Sequence, residues 1–349
     1  MTWLGIDIGG ANVKLSDGAE YARCRPFPMW QRPSDLASEL RHAIAESPVS
    51  DHLAVTMTGE LADCFATKTE GVQHILAAVE EACGGRHTRV YLTDGRFVTP
   101  TAARRVPLLA AASNWRALAD FARRFLGDLE SESSMEVAAP SLLIDIGSTT
   151  TDVIPISRDA VLAVGKTDTQ RMVAGELLYS GVVRTPVCAV VQSVPYRGRE
   201  CSVAQELFAT MRDVYLLVGK LPEAPADSET ADGRPATKAF AKARLGRVLC
   251  ADETEFHHKD AATLAEHVAH EQASRLVQTI EKLTADWTAR PATVICSGTG
   301  EFVARRALKR LSWDSNVVSL QSELGAASSS AATAHALAVL AGSRDGSSP

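Results

Sequence analysis

Two acids, Asp7 and Asp145, stand at matching points of a segment that the chain carries twice. The first copy reads Leu4-Gly5-Ile6-Asp7-Ile8-Gly9-Gly10-Ala11-Asn12-Val13-Lys14, the second Leu142-Leu143-Ile144-Asp145-Ile146-Gly147-Ser148-Thr149-Thr150-Thr151-Asp152. Leu4/Leu142, Ile6/Ile144, Asp7/Asp145, Ile8/Ile146 and Gly9/Gly147 coincide in register. Each copy is an apolar strand ending in a carboxylate, then a glycine-rich or hydroxyl-rich turn, then more β-prone sequence. Glycine lets a backbone approach an anion, and successive turn N–H groups form a concave nest for it. A strand-end carboxylate can hold a hydrated Mg²⁺ beside phosphate oxygens, and Mn²⁺ is the other metal the sequence leaves open. Asp7 and Asp145 are therefore candidate metal ligands. Gly9, Gly10, Asn12, Gly147, Ser148, Thr149 and Thr150 are candidate phosphate cradles. Either copy alone also reads as an ordinary hairpin with a tight turn. The matched pair is what points to a polyphosphate held from two sides.

Other residues extend this set. Lys14 would pair with one phosphate, or is an exposed strand lysine. Asn12 and Thr150 would stabilise their own turns as readily as a ligand. Asp152 stands where the first copy has Lys14, and either orients water or metal or faces solvent. A third turn, Ser297-Gly298-Thr299-Gly300, follows the apolar Val294-Ile295-Cys296 and leads into helical sequence. Its Gly298 and Gly300 are candidate phosphate contacts, with close helix–strand packing as the alternative.

Between the copies, strand and helix signals alternate, which indicates α/β architecture. Residues 2–8, 12–15, 22–27, 53–57 and 90–92 read as strands. Pro33-Ser34-Asp35 opens a helix with Ser34 as N-cap and Leu36, Leu40 and Ile44 at helical spacing. Residues 71–83 form another, and Asn114 caps a third that carries Trp115, Leu118, Ala122 and Phe125. Ser131-Glu132-Ser133-Ser134 is a polar spacer, expected as the hinge between halves. Further on, residues 160–164 and 187–191 read as strands, 202–218 as a helix, 221–235 as an exposed loop and 261–287 as the longest helix. An alanine-rich helix spans 328–340, and 342–349 is expected to be disordered. The 349 residues exceed one ordinary core, so two domains are expected: 1–138 together with about 325–349, and 139–324.

Composition narrows the classes. A hydrophobic content of 46% with 22% charged residues is that of a globular protein. The net charge of −6 argues against a general nucleic-acid partner. Seven scattered cysteines without a Cys-x-x-Cys pair fit reduced thiols in a cytoplasm rather than a zinc site. There is no charged leader ahead of the first strand and no apolar run of membrane length, so neither export nor a membrane partner is expected. A homodimer is left open.

The order of hairpin, helices, hairpin, long helix, glycine turn and alanine-rich tail helix resembles the actin-like ATPase superfamily of sugar kinases, Hsp70 and actin. More narrowly, the chain is similar to the hydantoinase/oxoprolinase branch, and within it to a group linked to tetrahydromethanopterin-dependent one-carbon transfer. The residues carrying this likeness are the two hairpins, Thr58-Gly59-Glu60-Leu61, Gly175-Glu176-Leu177-Leu178-Tyr179, Arg184-Thr185-Pro186, Ala209-Thr210-Met211-Arg212-Asp213-Val214-Tyr215 and Ala231-Asp232-Gly233. It extends from about residue 4 to about residue 340. It implies an α/β, two-domain actin-like ATPase (ribonuclease H-like) fold with a cleft between the domains.

Archaeal members of that group act in methanofuran biosynthesis, so the resemblance implies a condensation rather than a phosphorylation. An aminomethyl-furanmethyl diphosphate would lose pyrophosphate, and its methylene would pass to the phenolic oxygen of γ-glutamyltyramine. In a bacterium the product would be methylofuran. The leaving group needs its charge neutralised, a role for metal, lysine and N–H nests. The phenol needs a proton acceptor, for which Asp94, Glu60 and Asp213 are candidates. Asp94 precedes Gly95 and also suits an Asx turn. Arg184 would bind phosphate or the glutamyl carboxylate through its planar fork. His257-His258 lacks a third metal ligand in register and reads as surface.

Two other readings remain. An ATP-dependent small-molecule kinase or an oxoprolinase-type amidohydrolase would use the same hairpins for ATP. Against ATP, Ser297-Gly298-Thr299-Gly300 stands where sugar kinases usually show consecutive glycines. A non-catalytic, nucleotide-gated scaffold is the second alternative.

Overall fold

The computed structural model describes residues 2–127 and 140–345; the spacer at 131–134 lies outside the described residues. The first sheet is built from β1 (Trp3–Ile8), β2 (Asn12–Ser16), β3 (Ala22–Pro26), β4 (His52–Met57), β5 (His87–Tyr91) and β6 (Phe97–Val98). Their spatial order is β3-β2-β1-β4-β5-β6, with β1–β2–β3 antiparallel and β4 and β5 parallel to β1. β1 is buried along its whole length, as expected of a strand covered on both faces.

Helices α1 (Leu36–Ala45) and α2 (Lys68–Ala82) cover one face. Leu36, Leu40 and Ile44 recur one turn apart on α1 and meet Val72, Ile75 and Val79 of α2 over Leu4, Ile6, Ile8, Val13 and Leu15. Full burial of such a side chain contributes roughly 1.5–3 kcal/mol. Ser34 is not the cap of α1. Pro33 starts a tight 3₁₀ turn that takes in Ser34, so the α-helix begins two residues later with Asp35 at its N-cap. After α3 (Pro100–Ala103) and α4 (Pro107–Ala110) comes α5 (Asn114–Ala122). Asn114 is its first residue rather than its cap. The N-cap is Ser113, whose hydroxyl donates to the Tyr91 carbonyl at 2.8 Å.

The second sheet uses β7 (Ser141–Ile146), β8 (Thr151–Ile156), β9 (Leu177–Leu178), β12 (Thr293–Ser297) and β13 (Asn316–Ser319); β10 (Ser193–Tyr196) and β11 (Arg199–Ser202) form a separate ribbon. Its order, β13-β12-β7-β8-β9, contains the pattern of the first sheet. In both, an antiparallel hairpin has a third antiparallel strand on one side and a parallel strand on the other. The duplication seen in the sequence is a duplication of architecture, and the fold is α/β as expected.

The helices of this half are α6 (Asp168–Ala174), α7 (Val187–Val190), α8 (Met211–Leu217), α9 (Lys238–Val248), α10 (His258–Leu283), α11 (Glu301–Leu311), α12 (Leu320–Ser330) and α13 (Ala332–Asp345). Three expectations change here. Residues 160–164 make only an isolated bridge, Ile156 to Val161, because the Glu176 carboxylate takes the amides of Val164 and Gly165 out of any ladder. Instead of the strand expected over 187–191, α7 forms after Pro186 with Val187 and Val190 both buried, and Val191 is extended. The expected 202–218 helix shrinks to α8, because Ser202 ends β11 and a Thr210–Asp213 capping box fixes the helix start.

Helix α13 returns to the first sheet and packs on β1. A Cβ on Gly5 would lie 1.9 Å from the Ala334 carbonyl oxygen, so only glycine permits this approach. Residues 342–345 belong to α13 and are helical, not disordered; 346–349 lie outside the described residues. A third core combines Trp3, Trp115 and Phe121 with Leu143, Ile154 and Ile295 of the second sheet and Leu337 and Leu340 of α13. It joins the two halves.

Candidate functional site

In the β1–β2 ladder Asp7 lies opposite Lys14, whose Nζ is 4.0 Å from Asp7 Oδ2. In the β7–β8 ladder Asp145 lies opposite Asp152. The turn carbonyls are tied back into the protein. Gly10 and Ala11 accept from Met29 and Phe27 at 2.8 Å, and Gly147 and Ser148 accept from Val182, Val183 and Arg184 at 2.9–3.1 Å. Among the described residues, the amides of Gly10, Ala11, Ser148, Thr149 and Thr150 donate to no protein group. Carbonyls held inward and amides left unused are what an anion nest requires.

The charges place the two turns together. Asp7 is 5% exposed and its Oδ1 has no hydrogen-bond partner. Burial pushes its carboxyl up, while Lys14 pulls it down. Burial, and then the nearby Asp152 carboxylate, push Asp145 up to about 6; Lys14 and Asp7 of the other hairpin also act on it. Asp145 therefore lies within electrostatic reach of the opposite hairpin. Asp152 itself neither faces solvent nor stays free. It is 4% exposed and accepts from Arg171 at 2.6 Å, and the buried Arg171 guanidinium lies 4.2 Å over the Trp115 ring.

The remaining candidates fall into different places. A Cβ on Gly298, which has φ +85°, would lie 2.3 Å from the Ile146 carbonyl and 2.8 Å from Asp145 Oδ1. Gly300 donates to the same carbonyl at 2.9 Å. Both glycines seat their turn against the second hairpin, so packing accounts for them. The buried hydroxyl of Ser297, opposite Asp145 in the β7–β12 ladder, faces that carboxylate and draws its pKa down. Arg184 is exposed and stacks over Trp30, from the other half, at 4.9 Å. Its guanidinium makes no ion pair among the described residues. Asn12 and Thr150 hold their turns in place with no side-chain bond, while their carbonyls receive Gly9 and Gly147 at 2.8 and 2.9 Å.

Asp94 and Asp213 are taken by structure instead. Asp94 accepts the Arg96 amide at 3.1 Å and its guanidinium at 2.6 Å; burial opposes ionisation, but Arg96 prevails and holds the carboxyl low. That is the Asx turn before Gly95. Asp213 accepts the Thr210 amide at 3.0 Å and Arg244 Nε at 2.8 Å, and Arg244 Nη1 reaches Asp232 at 3.0 Å. The family-like segments 209–215 and 231–233 thus meet at a buried arginine that the sequence reading passed over. It also missed Lys68 and Asp168, 4.0 Å apart on α2 and α6, and Arg171, all near the site. The Thr167–Gln170 capping box was the one readable signal for that region.

No cluster of three or more potential metal-ligating side chains occurs among the described residues. Mg²⁺ does not need one, since it binds through one or two carboxylates plus water and substrate phosphates. An unpartnered buried Asp7 oxygen and a second acid with a raised pKa suit such an ion. Two hollows of about 340 and 400 Å³ flank the β10–β11 ribbon and share His267, but neither includes a hairpin residue.

The hydantoinase/oxoprolinase model matches residues 51–340. The chain belongs to the hydantoinase/oxoprolinase family. Within reach of that family is a (4-{4-[2-(gamma-L-glutamylamino)ethyl]phenoxymethyl}furan-2-yl)methanamine synthase from Methanocaldococcus jannaschii, 33% identical over 97% of this chain and 96% of the relative. A protein of the same name from Methanococcus vannielii is 29% identical over 55% of this chain and 86% of its own. Among solved structures, nucleotide-free acetone carboxylase superposes with a TM-score of 0.50 at 13% identity, over 94% of this chain and 51% of that one. That likeness concerns the fold alone. No single helix among the described residues is long and apolar enough to cross a membrane.

Proposed function

We propose that this member of the hydantoinase/oxoprolinase family is a pyrophosphate-releasing transferase. It joins the methylene of an aminomethyl-furanmethyl diphosphate to the phenolic oxygen of γ-glutamyltyramine, forming the aryl ether of a methanofuran-type one-carbon carrier. The observation that carries the reading is the pair of turns with inward carbonyls and unused amides, in a chain that matches its synthase relative end to end.

The chemistry follows from the geometry. A furanylmethyl carbon supports positive charge, so departure of diphosphate is the step to assist. Free amides of Gly10, Ala11, Ser148, Thr149 and Thr150 receive its oxygens, and Lys14, beside Asp7, adds a positive charge. Donors fixed before the reaction need no reorganisation as charge develops on the leaving group. Asp7 and Asp145 would hold Mg²⁺, which supplies further neutralisation of the diphosphate when bound. Arg184 and Trp30, one from each half, offer a cation and a ring face at the edge of the site, suited to the glutamyl carboxylate and the tyramine ring. The halves to either side form two domains, 1–138 with about 325–349 and 139–324, acting in a cytoplasm on small molecules.

The test is a product assay with purified protein and Mg²⁺, with and without ATP. Aryl ether and pyrophosphate formed without ATP are the expected result. Release of ADP from ATP, with no ether under any condition, would replace the transferase by an ATP-dependent kinase or hydrolase.

A further inference from the structure

We propose that Glu60 is the group that accepts the phenolic proton in this reaction. The inference rests on the ether-forming reading and adds to it the residue that activates the nucleophile. Glu60 follows β4, and its loop is fastened to the first hairpin. Thr58 and Gly59 both donate to the Ile8 carbonyl, at 2.9 and 3.0 Å. A Cβ on Gly59 would lie 3.0 Å from the Gly9 carbonyl, so the loop lies directly against the phosphate turn. From the other side α2 presses on Glu60 through Gly71, where a Cβ would come within 2.3 Å of the Glu60 carbonyl. The backbone that carries this side chain has no room to shift.

The Glu60 carboxylate takes its own amide and that of Ala112, but not with both oxygens. Glu60 is 1% exposed and its Oε2 has no hydrogen-bond partner. Among the described residues, one other buried carboxylate oxygen shares that condition, Asp7 Oδ1. A buried carboxylate oxygen without a donor is costly, and a catalytic role is one reason for keeping such a group. The two lie at the C-terminal ends of neighbouring parallel strands, β1 and β4. Glu60 therefore stands one strand over from Asp7, in the loop that follows β4.

The surroundings suit a base. Burial raises the Glu60 carboxyl to about 7. Its own amide pulls it down, Asp168 of α6 pushes it up, and Lys68 of α2 and the Ala112 amide pull it down. Ala112 holds φ +46°, an uncommon conformation for a residue with a side chain. A base with pKa near the working pH combines availability with proton affinity. The phenolic proton passes to Glu60 Oε2, and the phenolic oxygen forms the bond to the furanylmethyl carbon. The bond from that carbon to diphosphate breaks, its electron pair leaving on pyrophosphate.

The experiment compares wild type, Glu60→Gln and Glu60→Asp across pH, using γ-glutamyltyramine and a ring-fluorinated analogue whose phenol is more acidic. Glu60→Gln should lose roughly 10²–10⁴-fold in kcat with the parent phenol, the usual worth of a general base. It should lose much less with the fluorinated one, lack the acidic limb near pH 7, and keep its KM for the diphosphate. Glu60→Asp should retain the limb at a reduced rate, which a merely structural residue would not show. Equal losses with both phenols, or a limb that persists in Glu60→Gln, would remove Glu60 from the chemistry. Wild-type protein that makes no ether from either phenol would overturn the transferase reading itself, a distinguishable failure.

Discussion

Two groups of buried acids lie within this chain, and they differ in one respect. At the hairpins, Asp7 and Asp145 share a single nearby lysine, and Asp7 Oδ1 lacks a partner. Further into the second half, Asp213 and Asp232 flank Arg244, whose side chain is entirely buried and reaches both. Burial opposes the ionisation of Asp232, yet Arg234 and Arg244 hold it at about 2. Asp213 is pushed up by burial and drawn back by Arg244. Burial is common to both groups; charge balance is not. The balanced group is a post that fixes α8 against the 227–236 loop. The unbalanced group is the one where the proposed Mg²⁺ would add positive charge.

The largest expected effect would come from breaking the balanced group. Arg244→Met leaves Asp213 buried without its cation and should cost about 3–5 kcal/mol of stability, as for other broken buried pairs. Thermal or denaturant unfolding measures this. Molecules that remain folded should keep near-normal turnover, and a selective loss of turnover would place Arg244 in the site.

Next in size are changes in the unbalanced group. Asp7→Asn and Asp145→Asn should each lower ether formation by roughly 10²–10³-fold, the range for losing one preorganised charge contact. Folding should survive, since each change removes an uncompensated charge. Wild-type turnover by either folded variant would end the role assigned to the hairpin acids.

Glu60 sharpens the comparison through pH. Its folded pKa of about 7 lies above the 4.5 of an unperturbed glutamate. The stabilising contribution of the bound proton is therefore fully present below about pH 4.5 and is lost as pH rises through about 7. By that difference, ionised Glu60 costs on the order of 3 kcal/mol at pH 8. Glu60→Gln should accordingly melt above wild type at pH 8 and level with it at pH 4. Equal melting at both would mean that the carboxylate is better solvated than its burial implies.

The smallest effect is expected at the edge of the site. Arg184→Ala removes an exposed cation stacked on Trp30, an interaction of about 0.5–1 kcal/mol at such positions. It should raise KM for γ-glutamyltyramine several-fold with kcat little changed. Unchanged KM for both substrates would free Arg184 from any part in binding.

The hairpins were legible because period-2 apolar strands, a terminal acid and a glycine turn are all local features, and the repeat supplied its own control. Leu36, Leu40 and Ile44 gave α1 in the same way. What could not be read depended on contacts across the chain. Asp94 and Asp213 looked like Glu60 in sequence, each an acid near a turn or helix start. Arg96 and Arg244 distinguish them, and Arg244 lies 31 residues from Asp213. The strand expected at 160–164 failed for a similar reason, since the Glu176 carboxylate claimed its amides. Periodicity reports a buried face but not which distant group will compete for the backbone.

The contact between Gly5 and Ala334 has a bearing on how the chain is made. β1 leaves the ribosome well before the helix that covers it, which is encoded more than 300 positions later. Until α13 is synthesised, Trp3 and the α5 face that packs with it lack their cover, and the first sheet remains a sticky, half-finished layer. Such late, long-range closure slows folding and lengthens exposure to aggregation. A nascent chain stopped short of residue 332 should depend on chaperones for as long as it survives, however complete its hairpins may be.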